Sequence, residues 1–160
     1  MLQSFFVRFN QLSFSALLLR ITMVVILFPH GSNLMLGWFG GKGFTQSVEG
    51  LSSGAGLPYA IAVLVVLLQF FGSLALGFGL LTRYFALAIL ILFIGMIPYH
   101  TEYGFFMNWF GKQQGEGFEY HLLVLGICAA LVVSGAGRWS VDEILQKKVG
   151  IQLADVSRQG

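Results

Sequence analysis

Charge is what this sequence has least of. Of its 160 residues only 10% are Asp, Glu, Lys or Arg, while 56% are hydrophobic; an ordinary soluble domain is about a quarter charged. Small soluble domains bury only about two thirds of their chain surface, so a chain of this length cannot hide that many apolar side chains from water. A soluble fold is excluded. Cysteine is nearly absent as well: Cys128 stands alone, which removes an intrachain disulfide and a Cys-based zinc site. Redox chemistry in this chain therefore needs a non-thiol group. The charges that are present sum to +2 and form no basic stripe, so membrane lipid rather than nucleic acid is the expected partner.

What fills the space is apolar sequence in long runs. Four stretches, 12–35, 57–81, 84–99 and 120–137, are each near the ~17–25 residues that cross a hydrocarbon core. They predict one domain: an all-α, integral membrane four-helix bundle, antiparallel and up-down, with short interfacial helices at the N- and C-termini. No small-residue cleavage site follows the first stretch, so it reads as a retained span rather than a signal peptide. Ahead of it, Leu2, Phe5, Phe6, Phe9 and Leu12 fall at helical spacing, as in a helix lying on the membrane surface with Arg8, Asn10 and Gln11 toward water. After the last span, Ser140 and Glu143 form a capping-box pattern. Val141, Ile144, Leu145 and Val149 then make one apolar stripe, predicting a second surface helix in the tail 138–160. Small residues recur four apart at Ser73 and Gly77, Ala75 and Gly79, and Gly126, Ala130 and Ser134. That spacing permits close helix approach within the bundle or in a homo-oligomer, and Cys128 among them reads as buried.

Basic residues mark the cytoplasmic side. Arg8, Arg83, Arg138, Lys147, Lys148 and Arg158 share one side of a four-span topology, and the other side holds Lys42 and Lys112. Both termini are thus expected in the cytoplasm of a multi-pass bacterial inner-membrane protein. His30, His100 and His121, with Glu102, Glu116 and Glu119, then fall at the outer ends of the spans. There the loops are long and aromatic, and loops carry function more often than scaffolds do.

The outer stretch 30–43, HGSNLMLGWFGGKG, invites a phosphate-loop reading. Counting back from Gly41-Lys42 places Leu36 where the first glycine of a Walker loop belongs, and Gly43 replaces the magnesium-binding hydroxyl. The dinucleotide pattern requires a preceding strand, whereas this stretch leaves a membrane helix. The glycines instead permit a sharp bend at headgroup level, with Trp38 and Phe39 as anchors.

Taken with FFGSLALGFGLLTR from Phe70, GEGFEYHLLVLG from Gly115 and SGAGRWSVD from Ser134, that stretch resembles the DoxX family of small bacterial four-helix inner-membrane proteins. The blocks follow the family's order from Phe28 to Asp142. The resemblance implies a link to oxidation and reduction. Relatives are named for a thiosulfate:quinone oxidoreductase, and some are tied to membrane complexes with a superoxide dismutase and a sulfurtransferase. Two positions depart from the family pattern: Asn33-Leu34 stands where Gln-Lys is common, and Gln69 where a Glu usually precedes Phe-Gly. Each change removes a charge.

Candidate residues follow. Arg20 is the one charged side chain within the four spans, about 12 Å along the first at 1.5 Å per residue. An intramembrane ion marks a functional site by default, and snorkelling to the surface is the alternative. Gln69, near the middle of the second span, could hydrogen-bond Arg20 or Asn33, or serve as interhelical polar glue. No strong metal-ligand pattern such as HExxH is present, and His30, His100 and His121 read as hydrogen-bonding groups in preference to metal ligands. The resemblance leads to a quinone-linked redox component, acting as a subunit of a membrane oxidoreductase with redox-enzyme partners. His121 and Glu119 would then handle protons, and His30, Asn33, Trp38, Phe39, Gln69, His100 and Trp109 would bind a quinone-like head. The same aromatics would also make an interfacial belt. A non-enzymatic membrane anchor and a small-molecule or lipid transporter are the alternatives, although no inverted repeat supports the last.

Overall fold

The structure, a computed structural model, describes residues 11–159, and side chains over 13–150. The surface helix expected from Leu2 to Leu12 falls mostly outside the described residues. Within them the chain is helical and has no strand. Helix α1 runs Gln11–Leu36, a short α2 runs Phe44–Glu49, α3 Tyr59–Phe78, α4 Thr82–Met96, α5 Glu119–Ser134 and α6 Val141–Gln159. Three segments, Ser13–Leu36, Tyr59–Phe78 and Thr82–Tyr99, are long and apolar enough to cross a membrane. They correspond to the first three expected spans. The fourth, α5, is equally apolar but has 16 residues, because Gly135 with φ 74° closes it three residues early.

These helices are apolar all round, so Val25, Ile91, Leu123 and Val133 project outward from them. Side chains of that kind on the outer surface suit hydrocarbon and not water. Inside, Met23 and Leu27 of α1 meet Leu76 of α3, Ile89 and Phe93 of α4, and Val124, Cys128 and Leu131 of α5. A smaller cluster seats Val48 of α2 on Ala62 and Val66 of α3. In α3 the small-residue spacing does what it predicts: a β-carbon on Gly77 would lie 2.7 Å from the Val24 side chain of α1. In α5 it does not within one chain. Gly126, Ala130 and Ser134 face outward, and a β-carbon on Gly126 meets nothing within 4 Å.

The loop after α1 bends as its glycines suggest. Gly37, Gly40 and Gly43 have φ between 74° and 79°, a region open to residues without a β-carbon. Asn33 Nδ2 ties the bend to α1 by donating to the Trp38 carbonyl at 3.1 Å.

The tail helix is held by more than the expected capping box. Glu143 N–H donates to Ser140 Oγ at 3.1 Å. The Glu143 carboxylate reaches Trp139 N–H at 3.0 Å, one residue earlier than the reciprocal bond of the motif, because Trp139 takes a left-handed φ of 56°. Asp142 then caps a different helix: its carboxylate accepts from Leu81 N–H at 2.7 Å and Thr82 N–H at 2.9 Å, at the start of α4. Its own N–H donates to the Gly79 carbonyl at 2.9 Å. Losing a helix cap costs about 1 kcal/mol, up to ~2. Asp142→Ala should therefore lower the thermal midpoint in detergent and expose the tail to protease. An unchanged digestion rate would show that the tail is anchored elsewhere.

Candidate functional site

The polar residues sort to two ends of the molecule. At one end Arg20 is 2% exposed and does not snorkel. Its guanidinium donates to four backbone carbonyls: Leu76 at 3.0 Å, Gly77 at 2.8 Å, Ala136 at 2.9 Å and Trp139 at 3.1 Å. The first two belong to the last turn of α3, whose carbonyls have no partner within the helix. Gln69, one of whose possible partners was Arg20, is not among the groups it bonds.

At the other end lies a cavity of about 320 Å³. Five residues singled out in the sequence line it: His30 and Asn33 from α1, Gln69 from α3, His100 from the turn after α4, and His121 from the first turn of α5. The His100 and His121 rings stand 4.3 Å apart, centroid to centroid, and the His30 ring is 6.0 Å from that of Tyr120. Thus the three histidines do converge, with Tyr120 between two of them. Trp38, Phe39 and Trp109 do not line the cavity; they are 53%, 72% and 76% exposed. The aromatic wall is instead Phe93, whose ring lies 5.4 Å from His121 and 6.0 Å from Tyr120.

Gln69 reaches the cavity from an irregular stretch of backbone. Residues Leu68–Gly72 form one widened helical turn with i→i+5 hydrogen bonding. Such bulges insert a residue into the helical register and are frequent at functional sites.

The second aromatic loop folds over the cavity and is held by the two glutamates. Glu119 Oε2 accepts from Met107 N–H at 3.2 Å, and Glu116 Oε2 from Asn108 N–H at 2.8 Å. Glu119, expected to handle protons with His121, is engaged with the loop backbone and lies outside the cavity lining, while Glu116, Gly117 and Met107 are within it. The Glu116 carbonyl pairs with His100 Nδ1 at 2.9 Å. A carbonyl only accepts, so His100 Nδ1 carries a hydrogen, and in the neutral ring Nε2 keeps the free lone pair. On the same loop the Tyr103 phenol is pushed above its ordinary value by its hydrogen bond to Glu102 and by that carboxylate's charge. It stays a neutral donor at physiological pH.

His121 is the central group. It is 4% exposed, and among the described residues neither ring nitrogen has a hydrogen-bond partner; the buried Tyr120 hydroxyl has none there either. Buried polar atoms are nearly always satisfied, so these unpaired groups on a cavity wall leave hydrogen bonds open to whatever fills it, water included. Among the described residues, no group of three or more His, Cys, Asp or Glu could hold a metal ion. The donors present suit an organic ligand with acceptor oxygens. Sequence reasoning missed Tyr120 and Phe93, which look like ordinary membrane aromatics, and Asp142, whose partners are backbone amides.

An all-helical chain with membrane-length apolar helices and a polar cavity at one end defines an integral membrane protein. Residues 15–109 match the family model described as DoxX. The chain belongs to the DoxX family. The inner membrane protein YqjF of Escherichia coli (strain K12) is 30% identical over 132 residues, which cover 82% of this chain and 92% of that protein. No solved structure matches the chain.

Proposed function

We propose that this protein is an inner-membrane component of a quinone-linked redox system and binds a quinone-like head in the His30–His100–His121 cavity. In this reading α1, α3, α4 and α5 cross the bilayer as an up-down, antiparallel bundle with both termini in the cytoplasm. The name of the Escherichia coli relative supports the membrane, and the bias of Arg83, Arg138, Lys147 and Lys148 toward the Arg20 end supports the orientation. The carrying observation is the pair of unpartnered buried groups, His121 and the Tyr120 hydroxyl.

A quinone head presents two carbonyl oxygens that only accept, and His121 N–H with Tyr120 O–H offers two donors. Phe93 supplies a flat apolar wall. The cavity volume lies at the lower end of the ~300–1,000 Å³ usual for small-molecule sites, which suits a single ring. Reduction of a quinone consumes two electrons and two protons. This chain offers proton-bearing groups at His121 and the adjoining His100, and the electrons come from a partner redox enzyme. Glu119 contributes indirectly, by fixing the loop over the site. The reading as a membrane anchor is favoured by one feature, the outward row of Ile144, Leu145 and Val149 on α6.

Native mass spectrometry of the full chain in mild detergent tests the proposal. We expect a stoichiometric quinone, with affinity falling about 3- to 10-fold in either His121→Ala or Tyr120→Phe, the worth of one buried hydrogen bond. Glu119→Gln keeps an acceptor for Met107 N–H and should bind within about twofold of the parent. A protein repeatedly empty after gentle extraction from quinone-containing membranes, or equal occupancy in His121→Ala, would sink the reading.

A further inference from the structure

A second and larger hollow, of about 650 Å³, lies between α3 and α4 on the outer surface of the helices. Its lining is almost wholly aliphatic, and Ile61, Leu64 and Ile91 at its borders face outward toward lipid. The groove lies where the first half of α3, Tyr59–Leu67, stands apart from α4, and two small residues widen it. Ala88 and Gly95 stand on the α4 side, and a β-carbon placed on Gly95 meets no atom within 4 Å.

This groove adjoins the polar cavity. Leu51, Val65, Met96 and His100 line both, so the two spaces share a wall, and one histidine stands at their junction. A polar chamber with unpaired donors beside an aliphatic channel open to the bilayer has the shape of one kind of molecule: a hydrogen-bonding head on a single long hydrocarbon tail. We infer that the α3–α4 groove is the tail site of the ligand whose head occupies the histidine cavity. The ligand thereby enters sideways from the membrane, passing His100, and its tail stays among lipids' own neighbours while the head is withdrawn from them. The inference rests on the head-site reading above and adds to it a requirement for tail length.

Binding of two probes to the full chain in detergent tests this: a ubiquinone with a single isoprene unit and one with a long isoprenoid tail. A tail in a lipid-like medium gains only packing, on the order of 1–2 kcal/mol, which is about tenfold in affinity. The wild type should prefer the long-tailed quinone by about that factor. Gly95→Phe, whose β-carbon meets no atom within 4 Å and whose ring takes up groove space, should remove the preference and leave short-tail affinity unchanged; Ala88→Phe is the independent second block. Partition of the tail into detergent is common to all three proteins and cancels in the comparison. Equal affinity of both probes for the wild type, or a preference that survives both blocking variants, overturns the tail site while leaving the head site standing; ordinary lipid acyl chains then cover the groove. Failure of the wild type to bind either probe overturns both.

Discussion

Arg20→Met should cost the protein about 3 kcal/mol or more, since each hydrogen bond to a charged group contributes ~1.5–3 kcal/mol and several are lost at once. The reason lies in what the guanidinium touches. It bonds the Leu76 and Gly77 carbonyls at the end of α3, Ala136 just beyond α5, and Trp139 at the entry to α6. One planar side chain therefore fastens three segments to α1. Methionine fills much of the same space but donates nothing; the Leu76 carbonyl keeps the Gly79 N–H at 3.1 Å, and each other buried acceptor left unsatisfied costs ~1–3 kcal/mol. Arg20 also sits where a cation is favoured, against the negative end of the α3 dipole.

Arg20→Lys is the sharper test. Lysine keeps the charge, yet its single nitrogen cannot place donors on carbonyls from separate segments, as the guanidinium fork does. It should rescue little of the lost thermal stability in detergent. A lysine variant that melts with the wild type would mean that charge alone matters there and that the fan of hydrogen bonds does not. Since the histidine cavity is at the other end of the molecule, whatever Arg20 variant still folds should retain ligand affinity.

That separation of a structural end from a ligand end bears on what could be read beforehand. The spans were legible because membrane insertion is a matter of composition, summed over some twenty residues, and survives errors at any one position. The placement of His30, His100 and His121 at one end was legible for the same reason, since each terminates or begins a span. Their contact was not: the His100–His121 ring pair depends on the turn after α4 and on the loop held by Glu116, and neither has a sequence period. Arg20 stood out as an ion, but its partners are main-chain carbonyls, which every residue carries. The misplaced aromatics teach a related lesson. Trp38, Phe39 and Trp109 have the residue types of a ligand slot and the exposure of a belt, and composition cannot separate the two. The widened turn at Gln69 was hidden because an inserted residue changes the hydrogen-bond register without changing residue types.

Gly31→Ala is expected to do damage out of proportion to the single methyl group it adds. A β-carbon there would lie 2.5 Å from the Gln69 carbonyl oxygen and 2.6 Å from the Phe70 Cα. Those are backbone atoms, so no rotamer change relieves the overlap, and α1 must move away from α3. Overpacking a core costs ~1–3 kcal/mol, and a backbone collision belongs at the upper end. The same substitution at Gly126, where nothing lies within 4 Å, should be neutral or mildly stabilising, because alanine is the better helix former. Two glycine-to-alanine changes in membrane helices thus have opposite expected signs. The site should respond as well. His30 precedes Gly31, and Gln69 is the residue struck, so α1 and α3 separate where both line the cavity. Quinone occupancy should therefore fall in Gly31→Ala and hold in Gly126→Ala, measured side by side at a temperature where both remain folded. If Gly31→Ala melts with the wild type and binds normally, the close approach of α1 to the widened turn is not what shapes the cavity.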